Sequence, residues 1–267
     1  MHSQVNEPKA LGPDTEAFYV RALATMNRSG VPFLVGGAYA LGYYAGVYRH
    51  TKDLDLFVRP ADADRALASL AASGYRTEKT FPHWLGKAFH ADDFIDVICS
   101  SGNGLCPVDD EWFTRQVAGD VLGQRVLLCP AEEMVWQKAF IMERERFDGA
   151  DIVHLLRTRS GQLDWDHLVR RFGDNWRVLL SHLVLFGFVY PAERTKIPAN
   201  VLGRLVDQLA AERGDATEQI CRGTLLSRTQ YLSDTERWGY ADARLVPDGP
   251  LSSQDITRWT AAALEEK

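Results

Sequence analysis

Residues 36–57 read GGAYALGYYAGVYRHTKDLDLF, and the closing Asp53-Leu54-Asp55-Leu56-Phe57 decides how the chain is understood. Alternation of acid and leucine predicts a strand over 53–58, closed by Pro60. Side chains alternate faces along a strand, so Asp53 and Asp55 project from one side, about 7 Å apart. Leu54 and Leu56 point the other way, into apolar packing. Two neighbouring carboxylates repel each other unless a cation lies between them. Mg²⁺ takes one or two carboxylates together with phosphate oxygens and water. The pair therefore suits a metal held against a triphosphate.

Upstream, 33–35 reads as a short strand and Gly36-Gly37 as a tight turn into a helix over 38–45. Without side chains the backbone can approach a phosphate, and amides at a helix start point towards it. Arg49, His50 and Lys52 offer positive charge to the same phosphates. Downstream, Phe94, Ile95, Val97 and Ile98 predict a strand over 94–99 with Asp96 at its centre. If that strand pairs beside 53–58, Asp96 joins the other two acids. It then completes a two-metal site and can take the proton from an attacking hydroxyl. Each piece has a plainer reading, a solvated strand edge for the Asp-x-Asp and an ordinary turn for the Gly-Gly. The joint order is what points to chemistry.

The remaining pattern sorts the 267 residues into two regions. Up to Pro130 it is mixed: helices over 15–28 (capped by Asp14 or Thr15) and 62–73, then strands over 75–80, 88–90 and 125–129. From Ala131 it is helical, over 131–146, 150–158, 165–172, 175–188 and 200–213, with a surface-wrapped segment last. The expected architecture is α+β: a mixed sheet with flanking helices in a domain over 1–130, followed by a helical domain over 131–267. Hydrophobic residues at 46% and charged residues at 25% fit a globular chain. The formal charge of -6 disfavours non-specific coating of nucleic acid. Cys99, Cys106, Cys129 and Cys221 have no zinc spacing and read as reduced thiols. No signal-peptide pattern opens the sequence, and the apolar run over 178–190 is too short to span a bilayer. The expectation is a cytoplasmic protein without a membrane partner.

Gly36-Gly37, the run Arg49-His50-Thr51-Lys52-Asp53-Leu54-Asp55, and Asp96 together resemble the signature of the DNA polymerase β-like nucleotidyltransferase superfamily. More narrowly they resemble its small bacterial members, which include antibiotic-modifying enzymes and nucleotidyltransferase toxins. The likeness covers residues 30–100 and implies a nucleotidyltransferase-type fold. It implies Gly36 and Gly37 in the nucleotide-binding turn, and Asp53, Asp55 and Asp96 as catalytic metal ligands for Mg²⁺ or Mn²⁺. Many members carry Gly-Ser here, so a serine hydroxyl that would contact phosphate is absent. A weaker likeness runs over 130–156, where Lys138 is followed by Arg144, Arg146, Asp148 and Asp151. There Lys138 is expected either to reach the nucleotide phosphates or to snorkel from an apolar face. Asp148 and Asp151 are expected either to cap a helix or to serve the site.

The implied reaction is transfer of NMP from an NTP such as ATP to an acceptor hydroxyl, with release of pyrophosphate. The acceptor is open: a small molecule, a protein side chain or an RNA end. The alternatives are a non-catalytic nucleotide-binding or toxin–antitoxin component of the same fold, and an unrelated metal-dependent phosphohydrolase. His83, His90, Asp92 and Asp93 fit no regular metal motif. Arg144, Arg146, Arg157, Arg159, Arg170 and Arg171 read as a solvated surface, with a nucleic-acid patch as the alternative. Trp112, Trp136, Trp165, Trp176, Trp238 and Trp259 read as core and interface anchors.

Overall fold

The computed structural model describes residues 11–48, 51, 53–213, 218–247 and 249–265. They form two compact units. The first takes in the described residues within Met1–Thr80, Leu85–Cys99 and Val108–Pro130, and the second those within Phe81–Trp84, Ser100–Pro107 and Ala131–Lys267. The expected α+β class, with a mixed sheet, flanking helices and a helical C-terminal region, is the one observed.

In the first unit the order is α1 (Pro13–Ser29), β1 (Leu34–Val35), α2 (Gly37–Ala45), β2 (Asp53–Phe57), α3 (Ala63–Ala72), β3 (Arg76–Phe81), β4 (Leu85–His90), β5 (Asp93–Ile98), α4 (Asp110–Thr114), β6 (Val117–Val121) and β7 (Gln124–Leu128). Among the described residues the sheet is seven-stranded, ordered β3-β4-β5-β2-β1-β7-β6. It is mixed: β2 runs parallel to β5 and antiparallel to β1, while β4 and β5 are antiparallel. Helix α1 is capped two residues before the earlier of its expected caps, with Gly12 at the cap and Pro13 first, and Asp14 falls in the first turn. Proline suits that position because its missing N–H is unpaired there anyway. Helices α1 and α3 pack together, α3 also against β4 and β5, and α2 against β2.

The acid–leucine alternation of β2 is realised in its burial. Leu54 and Leu56 are fully buried, as are Ile95 and, within 1%, Val97 on β5. Burial of each such side chain stabilises by roughly 1.5–3 kcal/mol. The register pairs Leu54 with Ile95 and Leu56 with Val97, and puts Asp55 opposite Asp96. A one-residue slip would drive the acids into the core and the leucines out, so apolar burial fixes where the carboxylates stand.

The second unit carries α5 (Ala131–Ala139), α6 (Gly149–Arg159), α7 (Trp165–Phe172), α8 (Trp176–Val189), α9 (Ala199–Ala211), β8 (Ile220–Cys221), α10 (Leu232–Glu236), β9 (Ala241–Asp242) and α11 (Ser253–Glu265). The helix expected over 131–146 stops at Ala139. Beyond it Met142 and Phe147 form an antiparallel bridge, and the Glu143 carboxylate accepts the backbone N–H of Arg228 at 2.9 Å. A contact distant in sequence thus overrides local helical composition. The terminal segment, read as surface-wrapped, contains α11, whose start is marked by Ser252 and Asp255 bonding each other's polar groups.

Helices α5 and α7 are joined through a buried charged group. Glu133, fully buried, accepts from Arg171 Nε at 2.9 Å and lies 2.7 Å from His167 Nε2. Burial pushes its carboxyl up, and Arg171 and His167 oppose that. Trp112, Trp136 and Trp176 are buried as expected, whereas Trp238 is exposed. The four cysteines are buried and form no disulfide. Among the described residues no helix is long and apolar enough to cross a membrane.

Candidate active site

The site is built from one edge-to-edge pairing and one tight turn. Because β2 and β5 are parallel neighbours in the stated register, Asp53, Asp55 and Asp96 project from a common face. One carboxylate oxygen from each lies within 4.8 Å of the others, and all three residues are half-buried. Among the described residues this is the group of His, Cys, Asp and Glu side chains with metal-holding geometry. The donors are hard oxygens, the type that Mg²⁺ and Mn²⁺ prefer.

The glycine turn sits against the same carboxylates. The Gly36 amide donates to the Asp55 carbonyl at 3.0 Å, tying the turn to β2. Gly37 opens α2 in the left-handed region, with φ 54°, and a Cβ added there would overlap the Asp55 carboxylate. Only glycine lets the backbone come so near the acid. The Thr51 hydroxyl donates to Asp53 Oδ1 at 2.5 Å and fixes that carboxylate from the loop side. Arg49, His50 and Lys52 lie outside the described residues.

Three further residues belong to this neighbourhood and were not singled out from sequence. Lys87 on β4 donates to Asp96 Oδ1 at 2.7 Å. Tyr19 on α1 and Tyr39 on α2 bury their phenolic oxygens without a hydrogen-bond partner among the described residues. Burial foremost, then Glu16 and Asp53, pushes the Tyr39 phenol up to about 12. Tyr19 is also pushed up, by burial and then by Tyr39, Asp93, Asp53 and Asp55. The negative field of the acids therefore extends to both rings. The strand expected over 88–90 begins at Leu85, which is why Lys87 was missed. Only the β4–β5 register places it opposite Asp96.

Lys138 lies in the second unit, where it pairs with Asp148 at 2.7 Å and Asp151 at 2.9 Å. Asp148 occupies the cap position of α6 but makes no side-chain capping bond. Its carboxylate goes instead to Lys138 and, through two bonds, to Arg146. Burial disfavours the charged form of Asp148, yet Arg146 and Lys138 outweigh it and hold the carboxyl at about 2. A folded-state value below the ordinary 3.8 adds stability above about pH 4 that is lost as pH falls towards about 2. The expected size is on the order of 2 kcal/mol. Urea unfolding at pH 5 and pH 2.5 should show that loss, and Asp148→Asn should flatten this part of the profile.

The other sequence candidates separate. His83 contacts the Gly102 carbonyl at 3.0 Å and Asp255 at 3.5 Å in the second unit. His90 packs on Phe18 and Tyr75 in the first. Arg146, Arg157 and Arg171 go to different carboxylates, those of Asp148, Glu193 and Glu133.

A family model described as an uncharacterised nucleotidyltransferase matches residues 18–183, which takes in both glycines, all three acids and Lys138. The chain belongs to this nucleotidyltransferase family. It is thus an enzyme of nucleotidyl transfer whose acceptor family membership leaves open. No curated protein sequence matches it. Among solved structures, the family member is similar to ANT(2'')-Ia in complex with adenylyl-2''-tobramycin, at 16% identity and TM-score 0.38, covering 73% of this chain and 99% of that one. It is also similar to the lincomycin-bound lincosamide antibiotic adenylyltransferase LnuA, at 14% identity and TM-score 0.39, covering 55% and 98%. A third is an antigenic nucleotidyltransferase-like protein from Paracoccidioides brasiliensis, at 14% identity and TM-score 0.42, covering 70% and 93%.

Proposed function

We propose that this nucleotidyltransferase moves NMP from an NTP, ATP among them, to an acceptor hydroxyl in a reaction that needs Mg²⁺ or Mn²⁺ held by Asp53, Asp55 and Asp96. The observation that carries the reading is the convergence of three carboxylate oxygens within 4.8 Å in a chain of this family. In the reaction the acceptor oxygen bonds to the α-phosphorus and the bond to the departing pyrophosphate breaks. We assign the acceptor proton to Asp96, the carboxylate contributed by the neighbouring strand. The divalent ion, when bound, supplies positive charge against the phosphates. Gly36 and Gly37 bring the start of α2 beside the acids, and we assign its amides to the nucleotide phosphates.

The test uses α-phosphate-labelled NTPs with a desalted cell extract as the source of acceptors. Label should appear in a new product with an equal amount of pyrophosphate, and EDTA should stop both. Transfer that survives EDTA would overturn the metal requirement. Release of γ-phosphate in place of pyrophosphate would indicate a phosphohydrolase instead.

A further inference from the structure

The acid cluster has a cationic fourth member. Lys87 stands directly opposite Asp96 in the antiparallel β4–β5 register, and its ammonium donates to Asp96 Oδ1 at 2.7 Å. The same ammonium lies 3.8 Å from the centre of the Phe94 ring, and Phe94 is the β5 residue paired with Asp53. The two side chains are only 19% and 14% exposed, so solvent and salt screen the pair weakly. Strand register, ring and carboxylate therefore hold one positive charge on the third acid.

We propose that Lys87 is a built-in cation that takes the place of a second divalent ion, so that the nucleotide-free site takes up one metal ion and not two. The inference rests on the metal-site reading above. Two-ion sites hold their ions about 3.5–4 Å apart, and shared carboxylates must offset the repulsion between them. Here Oδ1 of the third carboxylate is already engaged by an ammonium at 2.7 Å. A second ion entering beside it would meet like charge in a part-buried setting, where the repulsion is strong. Lys87 is thus a positioning residue: it holds the Asp96 carboxylate in place without a second metal.

The experiment is titration of the nucleotide-free protein with Mn²⁺, with free ion followed by electron paramagnetic resonance. Wild type and the charge-preserving Lys87→Arg should each bind one ion per chain. Lys87→Met and Lys87→Gln, two neutral replacements read below their melting transitions, should each bind a second ion. Two ions on the wild type, or only one ion on the neutral variants, would overturn the role of Lys87 and leave the metal site standing. No binding by the wild type would sink the metal site itself, as would undiminished binding by Asp53→Asn.

Discussion

Asp55→Asn is expected to lower nucleotidyl transfer about 10³-fold or more while leaving the melting temperature within a few degrees of wild type. Asp55 is the middle acid, in register with Asp96 on β5 and two residues along the strand from Asp53. Asparagine keeps its shape but removes the charge that a divalent ion needs. The strand itself is held chiefly by Leu54 and Leu56, which are fully buried on the opposite face. Loss of one of three crowded negative charges also relieves repulsion between them. Stability should therefore hold or rise slightly as activity disappears. The check is the label-transfer assay alongside thermal unfolding. A variant that kept wild-type activity would remove Asp55 from the site.

Gly37→Ala is expected to cost both stability and activity. At φ 54° an alanine carries left-handed backbone strain of about 1–2 kcal/mol. Its Cβ would also collide with the Asp55 carboxylate, which must move or push the turn away from β2. Misplacement of about 1 Å at a reacting centre can cost roughly 10²-fold in rate, and that is the expected loss. Gly30 provides the control, because its φ is 70° and nothing lies within 4 Å of a Cβ placed there. Gly30→Ala should show the backbone-strain part of the destabilisation alone, with normal turnover. If both alanine variants kept full activity, close approach at Gly37 would have no catalytic meaning.

What could be read without coordinates, and what could not, follows from the range of the forces involved. The Asp53–Phe57 strand and the acid face were legible because alternation is a local signal. Asp96 could be nominated from its apolar neighbours, and the β2–β5 register supplies the pairing that the nomination required. Lys87 had no local signature, since its meaning depends on which residue β4 sets opposite it. Strand β6 was overlooked because Gly119 and Asp120 weaken its β composition. At Gly119 the Leu128 side chain packs close, 2.7 Å from the position of a Cβ. The Leu122-Gly123 turn, with positive φ at both residues, was the available hairpin clue. The helix over 131–146 was over-extended because nothing local reveals that Glu143 is drawn off to Ser227 and Arg228. Helix α11 was missed although Ser252-x-x-Asp255 is a readable start signal.

The most direct trial is anomalous scattering from crystals soaked with Mn²⁺ and a non-hydrolysable NTP. The peak should lie within about 2–2.3 Å of carboxylate oxygens of Asp53 and Asp55, with the analogue's phosphates on the same ion and beside the Gly36-Gly37 turn. A manganese peak elsewhere, or an α-phosphate bound away from β2 and β5, would contradict the assignment of this acid face as the catalytic centre.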